Sequence, residues 1–358
     1  MTFEEARSLF PVLDSVAYLN AGTFGPLARP VAEALESGIE RDLEHGRTGK
    51  SAFDETLALR EELREGFARL VGAEPAVVAL TTSTTDGCGI VLRGLGLDAE
   101  DEIVTTTDEH FGLLGPVAAS GARVVVVPPD PDRIAAAVTP RTRLIATSRV
   151  LWTTGAVLPL RELREQCGVP VLVDGAQSVG AIPDDVSGLD YLTISGQKWL
   201  CGPDSTGALV VHDPDSLEIV SPGYFSQRSY DPDGSFDPHP GGRRFDSGWW
   251  SNGRVRAMLT ALALRPHWWA ERSSAAAATC RRLLSPLVDL VEPKLSSSLV
   301  SFHVASAEAP ALVERLRDAG VDVREIPGRG LVRASCGWWT SDEDLERLAA
   351  GLDNVPGT

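Results

Sequence analysis

The sequence predicts an α/β protein: a mostly parallel seven-stranded sheet with helices on both faces, followed by a small α/β C-terminal domain. Three observations carry this. Between about residues 76 and 212, seven short apolar runs alternate with helix-sized connections, the order that builds a parallel sheet through right-handed crossovers. The runs are rich in Val, Ile, Leu and Thr and do not alternate with polar residues, as strands covered on both faces should not. After residue 213 the texture changes, so a second unit is expected.

In chain order, Pro26–His45 and Phe53–Val71 read as amphipathic helices. The second carries Leu57, Leu63, Phe67 and Leu70 near helical spacing, with Gly72 as its stop. The expected strands are Val77–Leu80, Glu102–Thr106, Arg123–Val127, Arg143–Thr147, Val169–Asp174, Asp190–Ser195 and Gly207–His212. Pro131–Ala137 and Leu158–Cys167 are of a size to be connecting helices. Residues 221–253, rich in Gly, Pro, Ser and Asp, read as an extended loop region, and loops this long are usually functional. An Ala-rich helical stretch follows to about residue 288. Beyond it come a strand at Leu299–Val304, a helix from Pro310 to Ala319, a strand pair at Val321–Arg324 and Leu331–Ala334, and a final helix. That helix begins at Thr340-Ser-Asp-Glu-Asp, a capping pattern with acids in the first turn.

A chain of 358 residues exceeds the usual single domain. The expected division is 15–260 for a large domain and 261–358, with residues 1–14, for a small one. Basic residues number 33 and acidic ones 50, a net charge of −17. This argues against nucleic acid or an anionic membrane as partner, because phosphate surfaces are bound by clustered Lys and Arg. No stretch has the length of a membrane span or the pattern of a signal peptide. Cys88, Cys167, Cys201, Cys280 and Cys336 are scattered without a CxxC pair. Free thiols in a cytoplasmic protein, without a metal site, are therefore expected.

The chemistry points to Lys198. It follows one expected buried strand, and Asp174, 24 positions upstream, ends another. A lysine amine able to form a Schiff base, and a carboxylate able to hold a pyridine nitrogen protonated, are the two requirements of a pyridoxal 5′-phosphate (PLP) site. Other polar groups fall at neighbouring strand ends, where ligands of parallel sheets collect. Thr81-Thr-Ser-Thr-Thr-Asp-Gly-Cys-Gly89 leads into a helix and suits a phosphate. His110 could stack on a flat ring, and Gln177 could reach a ring oxygen. Each has an ordinary alternative: a helix cap, a structural histidine, a turn carboxylate, a surface lysine. Together they occupy successive strand ends in an order that builds one pocket.

In that order the chain resembles the class V aminotransferase family of PLP-dependent enzymes, which have the aspartate aminotransferase-like fold of type I. The group includes cysteine desulfurases, isopenicillin N epimerase-like proteins and carbon–sulfur lyases. The likeness runs from Tyr18-Leu-Asn-Ala-Gly-Thr-Phe-Gly-Pro26 to Val332-Arg-Ala-Ser-Cys-Gly-Trp-Trp339. It implies that Lys198 carries the cofactor, Asp174 pairs with the pyridine nitrogen, Gln177 touches the phenolic oxygen and His110 stacks on the ring. Thr84 and Thr85 would bind the phosphate, with Ser195 and Gln197 closing on it. Arg333 would hold the substrate α-carboxylate, and Ala21, Gly22 and Thr23 would line the substrate side. It also implies a homodimer, with Trp249 and Trp250 near the interface.

Several departures narrow the reaction. Cysteine desulfurases have histidine where Gln197 stands, and a persulfide-forming cysteine on a long loop before the arginine motif. Here that segment is only Val323-Arg-Glu-Ile-Pro-Gly-Arg-Gly-Leu-Val332. The asparagine often found after the fourth strand is replaced by Val150-Leu-Trp-Thr-Thr-Gly155. At the turn where a neighbouring subunit contacts phosphate, the chain reads Asp246-Ser-Gly-Trp-Trp250, leaving Ser247 or Ser251 as substitutes. The expected reaction begins with an amino acid joined to the cofactor and loss of its α-proton. It continues as carbon–sulfur β-elimination from a cysteine-derived substrate, with transamination or epimerisation as the alternatives. The pairs Trp249-Trp250 and Trp338-Trp339 could offer an apolar wall to a ring-bearing substrate, although paired tryptophans more often fill a core or a dimer interface.

Overall fold

Leu59, Leu63, Phe67 and Val71 recur at every fourth position, and helix Lys50–Val71 buries them as one stripe. It stops at Gly72, whose φ of 69° is the left-handed cap conformation. The stripe is rotated slightly from the expected one, leaving Leu57 and Leu70 only part-buried. The computed structural model describes residues 1–353 and packs this helix, with Arg29–His45, on helix Asn252–Leu264.

All seven expected strands form, as Val78–Thr81, Glu102–Thr106, Arg123–Val127, Thr142–Ser148, Val171–Asp174, Tyr191–Ser195 and Gly207–Val211. They make one sheet whose strands, edge to edge, begin at residues 78, 207, 191, 171, 142, 102 and 123. Only Gly207–Val211 runs antiparallel to its neighbours. The segment before it, 196–206, is shorter than the dozen or so residues a parallel crossover needs. Apolar clusters cover both faces of the sheet. Strand Arg123–Val127 departs from the expected two-sided burial: it is an edge strand, and Val124 and Val126 are exposed.

Strand register gathers the polar ends. Ser148 pairs with Asp174, and Asp174 with Thr193. Ser195 faces Gly207, which also faces Thr81. Residues 81, 148, 174 and 195 therefore end their strands along one edge of the sheet, the edge where ligands bind in such folds.

The C-terminal unit is a three-stranded antiparallel sheet with Leu331–Ser335 between Leu299–His303 and Arg324–Ile326. Helices Trp269–Leu284, Ala309–Asp318 and Asp342–Asp353 share its separate apolar core. The last helix is capped as its sequence predicts: Ser341 Oγ accepts from the Asp344 N–H, and Asp344 Oδ2 from the Ser341 N–H. Two expectations need correction. Val321–Asp322 pairs in parallel with Ala17–Tyr18, so only Arg324–Ile326 joins the hairpin. The loop region 221–253 contains its own short hairpin, Gln227–Tyr230 with Phe236–Pro238. We retain the division near residue 260 as a proposal, noting that Ala17 and Leu19 pack in the smaller core. Residues 354–358 of the proposed second domain lie outside the described residues. Among the described residues no helix is long and apolar enough to cross a membrane.

One buried ion cluster ties the helical layer to the sheet. Asp246 accepts from Arg60, from both terminal nitrogens of Arg64 and from the Leu80 N–H at 2.9–3.0 Å. All three charged side chains are at most 4% exposed. Asp246→Asn would leave buried Arg60 without its anion and Arg64 with only the half-exposed Glu61, a change that costs about 3–5 kcal/mol. Urea unfolding is the measurement, and a loss under about 1 kcal/mol would contradict this account of the cluster.

Candidate active site

The lysine loop is clamped from above by the N-terminal turn. The Gly25 N–H donates to the Gln197 carbonyl at 2.8 Å. A Cβ on Gly25 would stand 2.1 Å from the Lys198 carbonyl oxygen, so glycine is required for this approach. Lys198 is part-buried, and burial of its amine, with the Arg333 charge adding, pushes its pKa down to about 8 against the opposing pull of Asp174. Asp174 is 3% exposed, and its Oδ1 accepts from the Ala176 N–H at 2.9 Å.

His110 caps helix Phe111–Ala118, its Nδ1 accepting from the Gly112 N–H at 3.1 Å. That bond leaves Nε2 as the nitrogen that can carry a proton outward. Partial burial, followed by the Lys198 charge, holds the imidazole below its usual range. Its ring meets Trp152 edge-on at 5.2 Å. Beside it, buried Glu109 takes hydrogen bonds from the Thr106, Thr147 and Ser148 hydroxyls and the Ser148 N–H. Burial raises its pKa, and this carboxylate joins two strand ends under the histidine.

Arg333 is 2% exposed, yet no carboxylate among the described residues pairs with it. Its Nη1 donates to the Trp152 carbonyl at 2.6 Å, and its Nε has no acceptor among the described residues. Burial, then the charge of Arg324, pushes its pKa down to about 9, the mark of a cation lacking a counter-ion. Arg324 lies directly across the hairpin from it, so both side chains leave the same face. Gly22 packs on the guanidinium: a Cβ there would come within 2.4 Å of Nη2. Gln177 is fixed on both sides, its Nε2 donating to the Gly22 carbonyl at 2.8 Å and its Oε1 accepting from the Trp199 indole at 3.0 Å. One amide proton of Gln177 remains for a further acceptor.

At the phosphate end, helix Thr84–Gly94 starts on Ser83, whose Oγ accepts from the Asp86 N–H. Thr84 is buried, whereas Thr85 is exposed, and a Cβ on Gly112 would stand 2.7 Å from its Oγ1. Ser195 donates to Gln197 Oε1 at 2.9 Å. Thr23 turns away, donating to Asn20 within its own turn, while Ala21 is buried. The structure therefore gathers Lys198, Asp174, His110, Gln177, Arg333 and Gly22 around one site, and brings Thr85 to His110 through Gly112. It does not bring the Thr23 hydroxyl there.

Of the two settings open to the tryptophan pairs, three of the four residues take the core. Trp338 and Trp339 are buried against Phe10 in the core, and Trp250 is buried beside Arg60. Only Trp249 of the four is exposed. Ser247 donates to Asp86, and Ser251 caps its own helix, so each has a partner within its own chain. Residues that sequence reasoning missed are Glu109, Trp152, Trp199 and Arg324. Only Arg324 had a signal: the turn Pro327-Gly-Arg-Gly330 closes a hairpin whose register sets 324 against 333.

This donor set fits PLP. It holds an enclosed amine of depressed pKa, a buried carboxylate nearby, a capped helix start with an exposed hydroxyl, and a buried cation with an orphaned N–H.

Comparison with known proteins agrees. The family profile for aminotransferase class V matches residues 25–348. The chain is 30% identical to isopenicillin N epimerase of Streptomyces clavuligerus, covering 99% of this chain and 98% of that one. Among solved structures it is similar to the cystine C–S lyase C-DES in complex with its reaction product cysteine persulfide. That match has a TM-score of 0.90 and 30% identity, over 97% of this chain and 100% of the other. A C-DES mutant with glycine covalently linked to the PLP cofactor matches with a TM-score of 0.91 and 29% identity, over 97% and 99% of the two chains.

Proposed function

The chain belongs to the class V aminotransferase family of PLP-dependent enzymes, and from that premise we propose that it is a carbon–sulfur β-lyase. Its substrate would be a cysteine-derived amino acid, cleaved without a persulfide-carrying cysteine. The observation that carries this reading is the hairpin around Pro327–Gly330. Ile326 pairs with Leu331, so four residues close the turn and none is a cysteine. Elsewhere, Cys88, Cys201, Cys280 and Cys336 are buried, and burial raises the Cys88 and Cys201 thiols far from the reactive thiolate form.

PLP, when bound, supplies the electron sink that makes an amino-acid α-proton removable. The chain's own residues then divide the work. Asp174 stands to hold the ring nitrogen protonated, Thr84, Thr85, Ser195 and Gln197 to hold the phosphate, and Gln177 to donate its free amide proton to the ring oxygen. His110 would cover one face of the ring. Arg333 supplies the charge for the substrate α-carboxylate. Lys198 Nζ takes the α-proton, after which the Cβ–S bond breaks and the sulfur departs with the bonding electron pair. Arg324, free of any ion pair among the described residues, gives the same face a second cation. That suits a substrate with a second carboxylate, as cystine has, and C-DES is named as a cystine lyase.

Incubation with L-cystine, without any 2-keto acid, should release pyruvate and ammonia. Arg324→Met should lower kcat/KM for cystine about tenfold while sparing S-methylcysteine, which has one carboxylate. Amine transfer to a keto acid with no pyruvate would sink the lyase reading. The second reading, epimerisation, is favoured by likeness to the Streptomyces enzyme; it predicts α-proton exchange in heavy water without elimination. We also propose a cytoplasmic homodimer, with exposed Trp249, clustered with Tyr224 and Phe225, near the subunit contact.

A further inference from the structure

Two buried N–H groups beside the site have no acceptor among the described residues: Nε of Arg333 and Nε1 of Trp152. They belong to neighbours, because Arg333 Nη1 donates to the Trp152 carbonyl at 2.6 Å. The Trp152 ring also meets His110 edge-on, so Trp152 touches the histidine through its ring and the arginine through its carbonyl. A buried donor left without a partner is unfavourable, and a ligand bound at this site could supply acceptors to two such donors on touching residues. The chemistry of that ligand is constrained. An indole N–H only donates, and a guanidinium only donates and is always charged. A group that answers both donors is an anion with at least two acceptor oxygens, and Gly22, packed on the guanidinium without a Cβ, lets Arg333 keep its place beside the site.

We propose that the Trp152 indole N–H is a second donor, beside Arg333, to the α-carboxylate of the amino-acid substrate; this rests on the role given to Arg333 above. Trp152 then decides between amino acids and amines of the same side chain. Its carbonyl orients the guanidinium, and its indole takes an oxygen that Arg333 does not.

The test is a binding titration of the holoenzyme, read from the cofactor's visible absorbance. The probes are L-2-aminobutyrate, which has no sulfur to eliminate, and propylamine, its counterpart without the carboxylate. Trp152→Phe keeps an aromatic ring at this position and removes the N–H together with the five-membered part of the indole, so the propylamine arm reports the packing lost. It should weaken aminobutyrate binding about tenfold or more and leave propylamine within about twofold. Trp152→His, which restores a ring N–H, should recover part of the loss. Unchanged aminobutyrate binding in the phenylalanine variant would overturn the proposal. So would equal weakening of both probes, which would mark the indole as packing alone. A parent enzyme that fails to prefer aminobutyrate over propylamine would overturn the role of Arg333 and this proposal with it.

Discussion

Lys198→Ala should reduce turnover by roughly 10²–10⁴-fold, the scale of a positioned general base, and abolish the cofactor absorbance band that depends on a lysine Schiff base. The expectation rests on place as well as residue type. Lys198 is held by a loop that the Gly25 N–H clamps at Gln197, and its charge is felt by His110 and opposed by Arg333. A variant that keeps the band would remove Lys198 from the chemistry altogether. The depressed pKa adds a pH signature. An amine attacks an aldehyde only when unprotonated, so uptake of PLP by the cofactor-free protein should rise through about pH 8 instead of near 10.5. The linkage sign follows. Between about pH 8 and 10.5 the folded protein holds fewer protons at this site than the unfolded chain. Lys198 therefore makes the stability of the cofactor-free protein increase with pH across that window. Lys198→Ala should flatten that slope, as denaturant midpoints measured at several pH values would show.

Arg333→Gln should move binding and stability in opposite directions. A buried guanidinium lacking a carboxylate partner costs folding energy, so its removal should raise the Tm of the ligand-free protein by a few degrees, equivalent to about 1 kcal/mol. The same substitution removes the cation that meets the substrate carboxylate. Losing one side of such a buried charge pair costs about 2–5 kcal/mol, or roughly 30- to several-thousand-fold in KM. A Tm that falls while KM stays constant would show that Arg333 serves the fold and not the substrate. Few structural arginines would give the predicted pair of signs, because most are paired as Arg60 and Arg64 are with Asp246.

Much of the architecture was legible because its signals are local. A run such as Val171–Val173, ahead of Asp174, is apolar because it is covered on both faces, and this shows in composition. Glu102–Thr106 and Arg123–Val127 were bounded to the residue, yet the exposure of Val124 and Val126 was not foreseen. Which strand lies at an edge depends on partner order, and one strand's composition carries no trace of it. The same gap leaves a tryptophan pair open to two readings. A doublet reads the same whether it lines a pocket or fills a core, and only packing against Phe10 and Arg60 separates the cases.

By itself, the sequence determined the α/β class, the seven strands, and the chemical identities at their ends, with Lys198 and Asp174 foremost. Those follow from short-range rules: apolar periodicity, capping and the chemistry each side chain carries. Tertiary structure alone decided that Arg333 is buried without an anion, that Arg324 stands across from it, and that the Trp152 indole is left without an acceptor. The physical reason is that unmet hydrogen bonds and unpaired charges are properties of an enclosed space. They appear only when residues as distant as 22, 152 and 333 are brought within contact and water is excluded from between them.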